Sequence, residues 1–416
     1  MHLAELTKHD SFLVHINHAS ILLKHNGQYL LCDPWYISPA FNNWTQNPPP
    51  PAELIEFIMG LNPNDLSVVV SHGHDDHLDD YFIKHHLSKS RFFIPTFQSP
   101  GLVNRVVDLT GRKPELLSVT PHTGHKAFKL SRLINNEFTS FDSIIVIETD
   151  QFTVIHANDN WHVQPPEVLS ELGKIKQRCS GPFFYLSQLG IADCFPQCYP
   201  QYSDQELLDI SSDRLKDAIA AAGRNLDSQA LTIGYSYANQ SRIVAEFAKP
   251  NFAAFDLVTG MIRRRNRDTP GSEVIQLMPG DHSNLLQPPG HPAKLEGLSG
   301  KGLINDLIIR LEREANLYIG IIDPGPVSFK LADEIQDATI HKPGVIYAAS
   351  RIVWQRILTG VVNIETISIG GGGMIFKTPR EFNIRKIHEK ISNFSYVAQG
   401  RFKRGGLGWL YSGQAS

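Results

Sequence analysis

The chain has 416 residues, 42% of them hydrophobic and 19% charged, with a formal net charge of −3. That length can bury the cores of about two to three domains, and the near-neutral balance gives no electrostatic case for nucleic acid as a partner. No apolar run reaches membrane-spanning length, and the opening MHLAELTKHDSFLV lacks the apolar core of a secretion signal, so the expected setting is cytoplasmic.

Four cysteines, Cys32, Cys179, Cys194 and Cys198, are too few for a disulfide framework. Cys194 and Cys198 have a C-x3-C spacing without a second pair, and packing is their expected role. In chain order, Ile21 to Leu31 is two apolar runs around Asn26-Gly27, which predicts a hairpin. Its second strand stops at Cys32-Asp33-Pro34-Trp35. After the proline-rich loop Asn47 to Pro51, Glu53 to Leu61 has the pattern of a short amphipathic helix. Leu66 to Ser71 reads as a β-branched strand and Arg91 to Ile94 as another, followed by a helix through Val103 to Leu109. Ser143 to Glu148 and Phe152 to His156 predict a second hairpin across Thr149-Asp150. Helical patterns follow at Pro166 to Lys176 and Asp204 to Gly223, then short strands at Ala230 to Tyr235 and Val274 to Leu277.

Hairpins followed by strands alternating with helices describe a layered α/β domain. The Gly- and Pro-rich stretch His282 to Gly302 places a boundary near residue 290, which divides the chain into 1–290 and 291–416. The second part carries helical patterns at Leu303 to Ala315 and Ala348 to Leu358, then ETISIGGGGMIF. Gly370 to Gly373 lack the lysine of a phosphate-binding loop and read as a tight turn. Arg401, Lys403 and Arg404 form a small basic group with the character of solvated surface.

The chemistry concentrates in VVVSHGHDDHLDD, Val68 to Asp80. Buried strand ends are poor in Asp and His unless these are paired or metal-bound. His72 and His74 are two apart, so in extended backbone both imidazoles share a face and can meet one ion. Past the turn, Asp76 and His77 can reach a second. Imidazole and carboxylate suit Zn, Fe or Mn, and two ions about 3.5–4 Å apart can share a hydroxide formed near neutral pH.

The strand followed by H-x-H-x-D-H resembles the signature of the metallo-β-lactamase superfamily. The resemblance implies an αββα sandwich with a smaller C-terminal α+β accessory domain. It assigns His72 and His74 to one metal and Asp76 and His77 to the other, two zinc ions being expected with iron or manganese as alternatives. Asp159, after Phe152 to Asn158, takes the place of the bridging ligand. His18-Ala19-Ser20 with Leu31 to Trp35 is similar to the branch containing ascorbate-phosphate lactonase and the phospholipase D of N-acyl phosphatidylethanolamines. CDPWYISPAFNNW (Cys32 to Trp44), FDSIIVIE (Phe141 to Glu148) and CFPQCYP (Cys194 to Pro200) resemble the metallo-β-lactamase-like part of CMP-N-acetylneuraminate hydroxylase, although the C-x-H…C-x-x-H pattern of a Rieske centre is absent. By that likeness Asp33 orients a ligand histidine or simply forms a turn, and His18 either approaches the site or is structural.

Two ligands of the family pattern have no histidine at the aligned positions. For the first, the position falls at Phe138, which leaves Glu137 or His125, the latter in an H-x2-H pair with His122. For the last, His282 in MPGDHSN is the substitute. The expected activity is a metal-dependent hydrolase whose metal-held hydroxide attacks an ester, lactone or phosphodiester of a small molecule, with Asp76 and Asp159 as catalytic carboxylates. The alternative is an iron-dependent oxygenase or redox enzyme acting on a nucleotide sugar or related molecule.

Overall fold

The computed structural model describes residues 2–298 except 42, 98–99, 122–124, 134–141, 161, 190–193, 238–240 and 244–254, and beyond them 317–322, 327–331, 344–350, 353, 357 and 365–378. The strands in chain order are β1 (Ser11–Asn17), β2 (Ser20–His25), β3 (Gln28–Cys32), β4 (Trp44–Gln46), β5 (Leu66–Val69), β6 (Arg91–Pro95), β7 (Glu115–Leu117), β8 (Lys129–Leu133), β9 (Ile144–Glu148) and β10 (Thr153–Asn158). They continue as β11 (Phe183–Gln188), β12 (Ile233–Tyr237), β13 (Ser241–Ile243), β14 (Glu273–Gln276), β15 (Asp281–Asn284), β16 (Ala293–Lys294), β17 (Leu317–Ile322), β18 (Val327–Leu331), β19 (Gly344–Ser350) and β20 (Gly373–Thr378). The helices are α1 (Leu3–Leu6), α2 (Ala52–Gly60), α3 (Asp80–Phe82), which runs on into a wider turn at Ile83–Leu87, α4 (Gly101–Thr110), α5 (Pro166–Arg178), α6 (Asp204–Ser228), α7 (Phe255–Asp268) and α8 (Glu365–Ser368).

Two sheets dominate. One runs β16-β15-β1-β2-β3-β5-β6-β7 and the other β14-β12-β11-β10-β9-β8. Strand alternation decides how they stack. Leu13, Leu23, Leu30, Val69 and Phe93 of the first sheet meet Leu130, Ile145, Ile147, Val154 and Leu186 of the second in one buried core. The alternate residues, among them Phe12, Val14, Leu22, Leu31 and Val68, face outward onto α2, α3 and α4. Ile144, Val146, Ile155 and Tyr185 face outward from the second sheet onto α5, α6 and α7. Helices therefore cover both outer faces of a two-sheet sandwich. The Asn26-Gly27 hairpin forms as expected, with φ of 48° and 74° at its two turn residues.

The first sheet runs through β16, so its strands continue to Lys294, just past the expected boundary. Beyond it, β18-β17-β19-β20 form an antiparallel sheet. Tyr347, Ala349, Ile357, Ile367 and Ile375 pack with Cys194, Cys198 and Tyr199. Cys194 Sγ donates to the Ser368 carbonyl at 3.0 Å, and the carbonyl of Cys198 accepts from Ile375 N at 2.9 Å. The C-x3-C pair is thus a docking point for the C-terminal sheet. The helix expected over Ala348 to Leu358 is corrected at its start, where Ala348 to Ser350 complete strand β19. The helix expected at Leu303 to Ala315 and the basic group Arg401, Lys403 and Arg404 lie outside the described residues. Among the described residues no helix is long and apolar enough to cross a membrane.

Candidate metal centre

The site lies where several strands end together. β3 and β5 run parallel, and β1 shares their direction through two antiparallel pairings across β2. Their carboxyl ends therefore lie at one edge, the place where open α/β sheets present ligand-binding loops. In the facing sheet β9 and β10 are antiparallel, so the residue before β9 and the residue after β10 come to the same edge. Three non-glycine residues there have left-handed backbone: His18 (φ 42°), Asp33 (φ 45°) and Asn158 (φ 40°). Such conformations are sparsely populated and collect at functional sites.

The histidine loop is held from two sides. Arg105 of α4 donates to Gly73 O (2.7 Å), Leu78 O (3.2 Å), Asp75 Oδ1 (2.9 Å) and Asp80 Oδ1 (2.7 Å). Asp79, buried at the start of α3, accepts from the backbone N–H of Tyr36 (3.0 Å), Ser38 (2.8 Å) and Phe82 (3.0 Å), and also from Ile37 N. Asp79→Ala would orphan several buried amides at once, and each unsatisfied group costs about 1–3 kcal/mol. We expect a loss of about 3 kcal/mol or more, read as a lowered urea midpoint at unchanged slope.

Two clusters of ligand atoms result. His72, His74 and Asp159 form one, and His18, Asp76 and His77 the other; within each, all donor atoms lie within 4.8 Å of one another. His72 Nε2 and His74 Nδ1 are 2.8 Å apart. His18 Nε2 is 3.1 Å from Asp76 Oδ2. Asp159 joins the two, with Oδ2 3.7 Å from His72 Nε2 and Oδ1 3.2 Å from His77 Nε2. That is the spanning position expected of a bridging carboxylate. Asp142, in the turn entering β9, places Oδ1 3.4 Å from His72 Nε2.

Two expectations are revised. His282 lies in β15 opposite Val14, with Nδ1 2.6 Å from Ala293 O, away from both clusters. The residue beside Asp76 and His77 is His18. His125 is likewise elsewhere: its Nε2 is 2.9 Å from Ser67 Oγ, and its Nδ1 accepts from the backbone N–H of Ala127 and Phe128. Glu137 and His122 lie outside the described residues, and the carboxylate seen facing His72 is Asp142.

Asp33 serves as the orienting group that the resemblance implied. Its Oδ2 accepts from His77 Nδ1 at 2.9 Å and from His156 Nε2 at 2.8 Å, and Ser71 N and Oγ each donate to it at 2.7 Å. Burial opposes its charge, but His77 and His156 outweigh burial and hold the carboxyl well below the usual range. His77 is thereby fixed with Nδ1 protonated, which frees Nε2 to face Asp159. Tyr237 extends the network, with its hydroxyl 2.5 Å from His156 Nδ1 and accepting from Asn158 N at 3.0 Å. Sequence reading missed Tyr237 and His156, since neither belongs to a motif.

The protonation balance favours a cation. Burial pushes His72 down to about 4, against the opposing charge of Asp142. His77 goes the other way: burial lowers it, but the charges of Asp159, Asp33 and Asp76 raise it well above the ordinary value. Among the described residues, Asp76 Oδ1 is buried with no hydrogen-bond partner, while His77 Nε2 and Asp159 Oδ1 meet each other as an ion pair at 3.2 Å. Unsatisfied buried polar atoms are rare and costly, and carboxylates gathered round buried imidazoles in this way fit divalent cations.

Two facing sheets, helices on both outer faces and a histidine loop at the carboxyl end of a parallel strand settle the architecture. It is an αββα sandwich. No protein-family model matches the chain, and no curated protein sequence matches it. Similar solved structures include CmlA, a diiron β-hydroxylase from Streptomyces venezuelae (14% identity, TM-score 0.44, covering 66% of this chain and 54% of that one). Another is a metallo hydrolase from Ignicoccus hospitalis (13% identity, TM-score 0.40, covering 66% and 97%). A third is a protein of the metallo-β-lactamase superfamily from Thermotoga maritima (12% identity, TM-score 0.33, covering 64% and 98%). The match thus spans about half the length of CmlA. Identities this low bear on fold and leave the chemistry to be read from the chain's own residues.

Proposed function

We propose that the chain is a metal-dependent hydrolase that cleaves an ester, lactone or phosphodiester bond of a small molecule. The observation that carries this reading is the pair of buried clusters joined across Asp159. His72, His74 and Asp142 would hold one cation and His18, Asp76 and His77 a second, with Asp159 between them. Bound there, such ions supply a nucleophile at neutral pH and Lewis-acid polarisation of the scissile group.

The chain's own residues do the rest. Asp33 fixes the tautomer of His77, and Arg105 and Asp79 hold the loop in shape. Trp35 packs edge-on against His18 at 5.2 Å between centroids, and Phe41 against His74 at 5.9 Å, so aromatic rings shield the centre from water. Asp76, its carboxyl held below the usual range by His77 and His18 against the opposing effect of burial, would serve as an ionised ligand of the second cation. Elemental analysis of purified full-length chain, paired with lactone, phosphodiester and acyl-ester substrates, tests the reading. It expects about two equivalents of a divalent transition metal and turnover in one substrate class; below a tenth of an equivalent, the proposal fails.

One observation favours a second reading. Asp142 brings a further carboxylate to within 3.4 Å of His72, and added hard carboxylate shifts preference toward iron. In that reading the centre holds iron and uses oxygen with a reductant to modify a nucleotide sugar or related molecule. A di-iron Mössbauer signature with reductant-dependent oxygen uptake would select it over hydrolysis.

A further inference from the structure

We propose that Tyr237 is a positioning residue of the metal centre: its one hydroxyl donates to His156 Nδ1 and accepts from Asn158 N, and so ties the group that orients His77 to the turn that aims Asp159. This rests on the metal-centre reading above and extends it to residues behind the ligands.

Tyr237 ends β12, is fully buried and faces the core between the two sheets. β10, β11 and β12 lie side by side and run parallel, so Tyr237 starts from the same edge at which β10 gives way to Asp159. The directions of its bonds follow from Asp33. That carboxylate only accepts, here from His77 Nδ1, from Ser71 and from His156 Nε2. The His156 proton therefore sits on Nε2, and Nδ1 is the acceptor that the Tyr237 hydroxyl meets at 2.5 Å. Burial raises the phenol well above its ordinary value, so the hydroxyl keeps the proton it donates. Its oxygen takes the Asn158 N–H at 3.0 Å. One line of bonds results: Asn158 N–H to Tyr237, Tyr237 O–H to His156, and His156 Nε2–H to Asp33, where His77 also ends.

Both ends of that line are left-handed, with φ of 40° at Asn158 and 45° at Asp33. The β10–β11 register also shifts between His156 and Asn158, and bulges of this kind re-aim side chains beside sites. Asn158 Oδ1 accepts from Asp159 N at 2.7 Å, and Asn158 Nδ2 donates to Ser143 O at 2.6 Å. Tyr237 completes the hold on the residue from which Asp159 departs. His18, the third left-handed residue at this edge, belongs to the same layer. His15 Nε2 is 2.9 Å from the His18 carbonyl, and the buried His15 ring stands edge-on to Tyr237 at 6.2 Å. Sparsely populated backbone persists only where its surroundings over-determine it. Here one buried layer of His15, His156 and Tyr237 holds all three positions.

The test is a Co(II) titration of the metal-depleted full chain, read by dissociation constants and visible absorption, for wild type, Tyr237→Phe and Tyr235→Phe. Tyr235 is the matched control. It lies on the same strand and in the same core, and its hydroxyl also makes two bonds, to Gly290 O at 2.6 Å and from Gly290 N at 3.1 Å. We expect Tyr237→Phe to weaken Co(II) binding by about 10-fold and to shift the absorption bands. Tyr235→Phe should bind as wild type does, even where its urea midpoint falls as far. Tyr237→Phe affinity within about twofold of wild type with unchanged bands would overturn the inference, as would an equal loss in Tyr235→Phe. The wild-type chain supplies a second measurement that needs no folded variant. With ¹⁵N-labelled histidine and no metal, NMR should find His156 as the Nε2–H tautomer; a His156 ring protonated on Nδ1 would overturn the inference. A wild-type chain that takes up no Co(II) would instead overturn the metal-centre reading itself, and this inference with it.

Discussion

Asp159→Ala is expected to abolish turnover, by about 1,000-fold or more, and to cut metal content from two equivalents to one or fewer. Among the described residues, Asp159 alone reaches histidines of both clusters, at 3.7 Å from His72 and 3.2 Å from His77. Its removal leaves His72 and His77 in a pocket still rich in imidazole but without the spanning charge. Burial opposes ionisation of Asp159, and His77 overrides it, so the carboxyl stays ionised well below the usual range. Asp159→Asn is the sharper variant because it keeps the shape. It should be less stable when no cation is bound, since it removes the charged partner of the buried His77 ring, and still lose metal. A fully loaded and active Asp159→Asn chain would contradict the assignment.

Asp33→Ala is the second large effect. It removes one buried carboxylate and orphans four donors: His77 Nδ1, His156 Nε2, Ser71 N and Ser71 Oγ. Breaking a buried charged network on one side costs about 3–5 kcal/mol, which should appear in chemical denaturation of the metal-free chain. The same change frees the tautomer of His77, so metal affinity should fall by about 10- to 100-fold even in whatever fraction folds. Asp33→Asn offers an acceptor for only one of the two imidazoles and should lie between wild type and alanine on both measures. Unaltered stability in Asp33→Ala would mean that the network is not what holds β3, β5 and β10 together at this edge.

Much of the site was legible because its parts are local in sequence. H-x-H-x-D-H after a β-branched strand places four donors within six residues, and Asp159 follows a hairpin with clear alternation. Asp33 was legible as the residue that ends a strand before proline. What escaped had a physical reason. His18 was left between approaching the site and a structural role: it sits one residue past β1, where left-handed backbone turns the chain, and β1 is buried on both faces, so no alternation decides between the two. Asp142 was passed over because the missing ligand was sought at Phe138 and its neighbour Glu137 or at His125, whereas the carboxylate that faces His72 lies two residues before β9. His125 and His282 were offered on type alone, and both prove to be satisfied by Ser67 and by a neighbouring strand. Strand β11 and helix α7 went unread, although β11 lies in the middle of the second sheet: its run FFYLSQ has no period that separates strand from helix.

The central claim is that two cations share Asp159 in one pocket. The most direct test is anomalous X-ray scattering from crystals of the full chain grown with the metal found by elemental analysis. The account predicts two anomalous peaks about 3.5–4 Å apart, one coordinated by His72, His74 and Asp142, the other by His18, Asp76 and His77, with an oxygen of Asp159 bound to each. A single peak, or two peaks with Asp159 bound to neither, would contradict it.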